Sequence, residues 1–272
     1  YTGNLIYIQK NADYIIKHIR HILSAVQTNG IDGFSGCMGG VDEKNPYKPY
    51  FVDWETYGSP QSRNGFYAIF VMALQAAEVL ADLLGDSVLS KACRTKVNTV
   101  KAMAFPPADN RQIASLMALA GLADVCRVNQ EILLREPVAD ISAYLGYYTL
   151  LAKGESGDIQ GGIDIVKRYW GRMLELGATT FWESFDYLTS YDAVGIDKIV
   201  QPDEKDIHGD FGKYCYRNRR CSLCHGWACG PTPFLSKYVL GVKVLEAGCA
   251  VVEVKPQLGG LNYVHGSFPT PR

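Results

Sequence analysis

The chain has 272 residues and a mass of 30.0 kDa, enough for one large domain or for one domain with a small appendage. Hydrophobic residues make up 47% of it and charged residues 20%, a balance that excludes disordered, collagen-like and coiled-coil proteins. The net charge of -1 provides no general attraction to nucleic acid or to an anionic membrane, so we expect neither as a partner. The aromatic content of 11% suits a pocket for a weakly charged ligand.

Apolar residues recur at helical spacing in seven stretches, and each predicts a helix. The first covers residues 5–26 and is followed over 30–60 by a long loop rich in Gly, Pro, Asp and Asn. The second begins near the Ser-Pro-Gln-Ser sequence at 59–62 and ends before Gly85, which we predict as its C-cap. The other helices are predicted over 87–103, 111–122, 141–151, 159–176 and 233–240.

Strand patterns are confined to the end of the chain, where 250–254 and 261–264 flank Pro256 and two glycines. No unit of about 20 to 50 residues recurs, which argues against a repeat solenoid. The sequence therefore predicts a mainly α fold, a helical toroid or bundle with a short C-terminal β segment.

We find no run of about 18 or more apolar residues, and the first residues lack a basic n-region with an apolar h-region, so we predict neither a membrane span nor a signal peptide. A soluble protein is expected, with its compartment and oligomeric state left open. The eight cysteines are too sparse for a disulfide scaffold. Four cysteines lie close in sequence to His225: Cys215, Cys221, Cys224 and Cys229. We expect free thiols there, and a zinc site or a disulfide is the alternative.

A candidate catalytic carboxylate, Glu183, follows the sequence Thr-Thr-Phe-Trp directly after a predicted helix that ends at Gly177. Apolar walls disfavour the charged form of a carboxyl group, so we expect the aromatic neighbours to raise its pKa. A raised pKa makes the carboxylate a better proton acceptor near neutral pH. The same pattern also fits a helix start with buried Phe181 and Trp182 and a solvated Glu183.

Two further loops carry candidate ligand-binding residues. His225 and Trp227 lie in a Gly- and Pro-rich loop before the last predicted helix, where they can hydrogen-bond to and stack on a polyhydroxylated ring. Asp53 and Trp54 lie in the long loop and suit sugar hydroxyls and a sugar face. Structural roles stay open for both pairs, since a loop histidine often bonds within its own loop and Asp53 fits a turn beside a buried indole.

Several motifs together carry a family resemblance: Thr-Thr-Phe-Trp-Glu at 179–183, with 166–178 before it, His-Gly-Trp at 225–227, Gly-Pro-Thr at 230–232 and Tyr-Val-Leu-Gly-Val at 238–242. They resemble the catalytic domain of bacterial α-L-rhamnosidases, most closely from residue 164 onward. The resemblance extends back to 53–54, 110–122 and 146–151, and forward through 256–261 and 266–271. It implies an (α/α)6 barrel domain over 1–246 and the start of a C-terminal β-sandwich domain over 247–272.

The resemblance also implies an activity, the hydrolysis of terminal α-L-rhamnose from a glycoside or oligosaccharide by an inverting mechanism. Glu183 would be the general base that takes a proton from the attacking water. The implied rhamnose subsite consists of Asp53, Trp54, Trp182, His225 and Trp227. No cofactor or metal is expected, because side chains carry both proton transfers in a two-carboxylate mechanism.

Inversion requires a second carboxyl group about 6.5 to 9.5 Å from the first, and the upstream motif that supplies it in the family has no counterpart here. Local substitutes are Asp32, Asp42, Glu43, Asp53 and Glu55. We therefore expect this chain to be the C-terminal portion of a larger barrel, and to be inactive or very weak alone. Two alternatives stay open: another (α/α)6 glycosidase with a different sugar specificity, or a non-catalytic carbohydrate-binding or structural fragment.

Overall fold

The computed structural model describes residues 2–25, 44, 50–54, 56–136, 138, 140–207 and 221–271. Helices account for 51% of these residues and strands for 4%. The predicted predominance of helix is therefore confirmed for the described part of the chain.

Ten α-helices are present among the described residues. They are α1 (Leu5–Lys10), α2 (Ala12–Ala25), α3 (Ser62–Leu83), α4 (Ser87–Lys101), α5 (Arg111–Ala120), α6 (Val125–Val128), α7 (Gly146–Glu155), α8 (Ile159–Ile165), α9 (Gly171–Glu175) and α10 (Pro231–Phe234). Wider, π-helical turns continue three of them, over Asn129–Leu133 after α6, Val166–Trp170 between α8 and α9, and Leu235–Val239 after α10.

The predicted helices are present with shifted ends and two larger differences. The first predicted helix is interrupted at Asn11, where α1 ends, and the helix predicted from 141 begins only at Gly146. Residues 125–133 are helical although no helix was predicted there, because the segment is too short to show a clear apolar period. Gly85 follows the end of α3 at φ +76°, the left-handed conformation expected of a glycine that ends a helix.

The helices from α3 onward pack as successive hairpins. Helices α3, α5, α7 and α10 form a row in which each contacts the next, while α4 packs on α3, α6 on α5 and α8 on α7. Residues 84–86 close the first hairpin, and the Asp86 side chain accepts from the Leu89 N–H at 2.9 Å to cap α4.

The helices of the row begin at the same end of the molecule. Asn64, in the first turn of α3, donates to the Pro106 carbonyl ahead of α5 at 3.1 Å. The Ser142 N–H, ahead of α7, donates to the side-chain oxygen of Gln112 in the first turn of α5 at 3.1 Å. Gly230, directly before α10, lies against the first turn of α7. The loops that precede these four helices therefore meet at one end.

Two hydrophobic clusters form the core, and α7 lies between them. The first joins α2 to α5 and includes the fully buried Leu74. The second joins α8 to α10 and includes Trp182 and Phe234. Ala152 of α7 belongs to the first cluster and Leu150 to the second, so α7 links the two halves of the core.

Four short strands form two separate sheets in the described chain. β1 (Ala193–Val194) pairs in parallel with β2 (Lys205–Asp206), and β3 (Val242–Val244) pairs antiparallel with β4 (Val252–Val254). The strand predicted at 250–254 is thus present, whereas 261–264 is not a strand. The β3–β4 pair joins residues on both sides of the boundary predicted at 246/247, and the second domain expected after it stays a prediction.

One helix among the described residues, α3, is long and apolar enough to cross a membrane by length and composition alone. The chain has no uninterrupted run of 18 apolar residues, but hydropathy does not exclude a membrane span as the sequence analysis expected. The buried side chains of α3 include Tyr67, Leu74 and Ala81, and the helix packs against α4 and α5. A core helix satisfies the same criterion because it is apolar on most of its faces.

Candidate active site

Glu183 lies in the loop that follows α9, beside the loop that precedes α10. Gly177 ends the helical segment at φ +92°, a conformation that favours glycine. Beyond it, the His225 N–H donates to the Phe181 carbonyl at 2.8 Å. This backbone bond joins two loops that the sequence analysis had identified separately, and it places their candidate residues next to each other.

Two hydrogen bonds between Glu183 and Ser222 hold the carboxylate. The Glu183 N–H donates to the Ser222 carbonyl, and the Ser222 N–H donates to Glu183 Oε2, both at 2.9 Å. The side chain is 13% exposed. Its other oxygen, Oε1, accepts no hydrogen bond from any residue that the structure describes.

His225 and Trp227 form the surroundings of this carboxylate. His225 Nδ1 lies 3.8 Å from Glu183 Oε2, beyond hydrogen-bond distance, and the Trp227 indole N–H donates to the Glu183 carbonyl at 3.4 Å. The rings of His225 and Trp227 have centroids 4.4 Å apart. Trp227 is 40% exposed, so it presents a ring surface to solvent next to the carboxylate.

Tyr144 belongs to the same group, although nothing in the sequence pattern predicts it as a site residue. Its ring stacks on that of Trp227, with centroids 5.3 Å apart and planes inclined by 29°. Tyr144 lies within the stretch 141–151, which the apolar periodicity assigned to a helix. A tyrosine in the turn before a helix is a weak signal without knowledge of the partner ring.

Asp53 holds a loop in place. Its Oδ1 accepts from the Trp54 N–H at 2.8 Å and its Oδ2 from the Ser142 hydroxyl at 3.1 Å. The residue is 7% exposed, so both oxygens are engaged within the protein. Trp54, in contrast, is 57% exposed and makes edge contacts with Phe51 and Tyr57 at 5.1 and 5.9 Å, which leaves ring surface accessible.

Of the five substitutes considered for the general acid, Asp53 lies within the described residues. Asp32, Asp42, Glu43 and Glu55 lie outside them. Because both oxygens of Asp53 accept hydrogen bonds in a buried position, the structure gives this residue a structural part and offers no support for a role as acid.

The prediction that Trp182 contacts the sugar is corrected by its position in the core. Its side chain has no exposed surface and belongs to the second core cluster. Its ring meets Phe185 edge-to-face at 5.9 Å. A ligand could reach it only by displacing core side chains, so Trp182 anchors the loop that carries Glu183 instead of lining a subsite.

The described cysteines of the cluster near His225 are free thiols. They are Cys221, Cys224 and Cys229, and within the described part of the chain no group of three or more histidines, cysteines or carboxylates is placed to hold a metal ion. Cys215 lies outside the described residues.

An apolar cavity of about 460 Å³ is lined in part by residues 178–181, which precede Glu183 in the same loop. Its walls include Trp170, Met173, Leu174 and Phe181, and none of the candidate site residues lines it. A wall of this composition offers few partners to sugar hydroxyls, so the cavity does not compete with the Glu183 region as a sugar site.

The structure thus defines a class: a protein of successive helical hairpins whose candidate site lies where one row of helices begins. That fold is shared with the GH78 family rhamnosidase of Bacillus sp. GL1, whose crystal structure matches this chain with a TM-score of 0.64 and 18% sequence identity. The match covers 96% of this chain and 27% of the rhamnosidase chain. At this identity the similarity is one of fold, and this chain spans about a quarter of its neighbour's length. No family model and no curated protein matches the sequence.

Proposed function

We propose that this chain is part of the catalytic module of a glycoside hydrolase that removes terminal α-L-rhamnose with inversion, and that its hairpins form part of an (α/α)6 toroid. The observation that carries the proposal is the Glu183 carboxylate, fixed through Oε2 by the Ser222 N–H and flanked by the exposed Trp227. The fold shared with a GH78 rhamnosidase supports it. So does the family resemblance in the loops that carry Glu183, His225 and Trp227.

In the proposed reaction Glu183 is the general base. Its Oε1 takes a proton from a water molecule while the water oxygen attacks the anomeric carbon and the bond to the leaving oxygen breaks. A second carboxyl group protonates that leaving oxygen. The Ser222 N–H keeps Oε2 in place throughout, so the carboxylate does not have to reorient between reactant and product.

Trp227 and His225 have a binding role in this proposal. An exposed indole offers an apolar face to the C–H groups of a sugar ring, and an imidazole beside it offers a hydrogen-bonding group for a hydroxyl. Trp54, at the start of the row of helices, is the second exposed indole at this end of the molecule. Its accessible ring suits a contact with the sugar or with the group attached to it.

A second candidate function is sugar binding without hydrolysis. The observation that favours it is Asp53, whose two oxygens are both bonded within the protein. Of the carboxylates considered as the general acid, Asp53 is the one that the structure describes. A chain that contributes the base and the indoles but no acid would bind the sugar and turn it over very slowly.

Calorimetric titration with L-rhamnose, paired with hydrolysis of an aryl α-L-rhamnoside, separates these functions. The variants are wild type, Glu183→Gln and the control Glu131→Gln, which removes an exposed carboxylate paired with Arg127. Turnover that is lost in Glu183→Gln and kept in the control supports the hydrolase. Binding without turnover in any variant supports sugar binding as the function of this chain by itself, and binding of L-fucose or D-mannose in place of L-rhamnose points to another sugar. Absence of all binding and turnover would overturn both functions.

A further inference from the structure

The end of the molecule that holds Glu183 contains an aromatic contact that the proposed reaction does not use. Trp227 is held by three groups: its indole N–H donates to the Glu183 carbonyl, His225 lies at its side, and the Tyr144 ring stacks on it. The first two come from the loops that form the site. Tyr144 comes from the turn before α7 and is the contact that relates the indole plane to the helical row.

Tyr144 is itself supported by α7, the helix that follows it. The Tyr148 ring meets it edge-to-face, with centroids 6.1 Å apart and planes at 85°. Burial, together with the neighbouring Tyr144, raises the pKa of Tyr148 to about 12, so its hydroxyl stays protonated through the physiological range. Packing of this kind restricts rotation of the half-buried Tyr144 ring. Because Trp227 stacks on that ring, rotation of its indole is restricted as well.

The turn that carries Tyr144 also fixes the loop of Asp53 and Trp54. Two residues before Tyr144, the Ser142 hydroxyl donates to Asp53 Oδ2, and Asp53 Oδ1 in turn accepts from the Trp54 N–H. One short turn therefore contacts both loops that carry exposed indoles. A change in its position would move both indoles relative to each other.

We infer that Tyr144 is a positioning residue of the proposed sugar site, which sets the orientation of the Trp227 indole beside Glu183. The inference rests on the proposed function for its ligand, but the positioning itself is a property of the protein without sugar. The aromatic ring of Tyr144 is the part that matters, because its face makes the stacking contact with Trp227. A phenylalanine at this position therefore preserves the effect and an aliphatic side chain removes it.

Fluorine NMR of protein labelled with 5-fluorotryptophan tests the positioning directly. The four tryptophans give four resonances, and Trp227→Phe assigns the one in question. Tyr144→Leu should broaden the Trp227 resonance, in addition to the shift that loss of the Tyr144 ring current produces, while the resonances of the buried Trp170 and Trp182 keep their widths. Tyr144→Phe and the control Tyr263→Leu, at a residue 78% exposed, should leave all four unchanged. A Trp227 resonance as narrow in Tyr144→Leu as in wild type overturns the inference.

Titration with L-rhamnose tests its consequence for the site. Tyr144→Leu should weaken binding about tenfold, the effect of losing one aromatic pair, and Tyr144→Phe should stay within about twofold of wild type. Equal weakening in both variants, or none in Tyr144→Leu, contradicts the inference. If wild type binds no sugar, the proposed function fails, and the NMR comparison still decides whether Tyr144 positions Trp227.

Should Tyr144→Leu fail to fold, the wild-type protein supplies the deciding measurement. The inference requires a nuclear Overhauser effect between the Trp227 indole protons and the Tyr144 ring protons, both free and with L-rhamnose bound. Loss of that signal on adding the sugar would mean that the stack opens when the site is filled, which overturns the inference.

Discussion

Glu183 and Ser222 bond to each other twice: the N–H of each residue donates to an oxygen of the other, at 2.9 Å in both cases. One of the acceptors is the Ser222 carbonyl and the other is Glu183 Oε2. The two residues are 39 positions apart in the chain, so this ring closes the site by joining two loops. It fixes one carboxylate oxygen, Oε2.

The first prediction concerns the structural part of this ring. Glu183→Ala should lower the free energy of unfolding by about 2 kcal/mol, because the Ser222 N–H loses a charged acceptor in a largely buried position. Glu183→Gln keeps an oxygen acceptor and should lose less than about 1 kcal/mol. Urea denaturation followed by circular dichroism measures both values, and equal losses would show that the bond to Ser222 adds nothing to stability.

A second prediction follows from the ion pair between Lys153 and Asp158, whose Nζ and Oδ2 lie 2.6 Å apart with the lysine side chain 1% exposed. Asp158→Asn leaves a buried ammonium without its counter-ion and should destabilise the protein by about 3 kcal/mol. Lys153→Met removes the buried charge and keeps the apolar stem, so it should cost less. Denaturation midpoints in the reverse order would contradict this account.

The same pair predicts a pH dependence. Burial raises the pKa of Asp158, but hydrogen bonds from Lys153, the Gly161 N–H and Asn129 outweigh it and hold that pKa below its ordinary value. A carboxyl group with a lowered pKa in the folded state stabilises the protein above its unfolded pKa of about 4. This contribution is lost as the pH falls through the folded pKa.

The measurement is the free energy of unfolding between about pH 6 and pH 2.5. Wild type should lose more stability over this range than Asp158→Asn, which has no carboxyl group to protonate at this position. Parallel curves for the two proteins would show that the Asp158 pKa does not contribute.

Substituting alanine for two different glycines should change the free energy of unfolding in opposite directions. A Cβ on Gly154 would lie 2.6 Å from atoms of the fully buried Tyr238 ring, so Gly154→Ala should destabilise the protein by about 2 kcal/mol or more. A Cβ on Gly171, at the first position of α9, would meet its nearest neighbour at 3.9 Å. Gly171→Ala should therefore stabilise by about 0.5 to 1 kcal/mol, because alanine favours the helix. Thermal unfolding distinguishes the two; a stable Gly154→Ala variant would show that Tyr238 can move.

The bond between Asp53 and Ser142 predicts an energetic coupling between two distant segments. Asp53→Ala and Ser142→Ala should each destabilise, and the double variant should lose about 1 kcal/mol less than the sum of the two. Chemical denaturation of all four proteins gives this coupling energy. Simple additivity would mean that the two side chains do not interact in solution.

Much of the fold follows from local patterns that the sequence displays directly. Apolar spacing located the helices because burying one face of a helix requires that spacing in each segment separately. Gly85 and Gly177 mark helix ends because the left-handed conformation suits glycine. The helix at 125–133 is not predicted because it spans little more than two turns, although its apolar residues at 125, 128, 132 and 133 follow helical spacing.

The pairing of elements could not be read in this way. The strand at 252–254 pairs with 242–244, while the stretch at 261–264, with a similar local pattern, pairs with no strand among the described residues. Which of the two apolar stretches pairs with a strand depends on where in the fold the preceding helix ends. Local propensity carries no such information.

The candidate site shows the same contrast between local sequence pattern and long-range contact. By itself the sequence determined the residue types that matter, a glutamate after an aromatic pair and histidine and tryptophan in a Gly-rich loop, because those choices are made residue by residue. Only the tertiary structure decided that Trp182 is core, that both oxygens of Asp53 are engaged by the protein, and that Tyr144 stacks on Trp227. Asp53 and Ser142 lie 89 positions apart, and contacts of this kind exist only once separate hairpins have packed against one another.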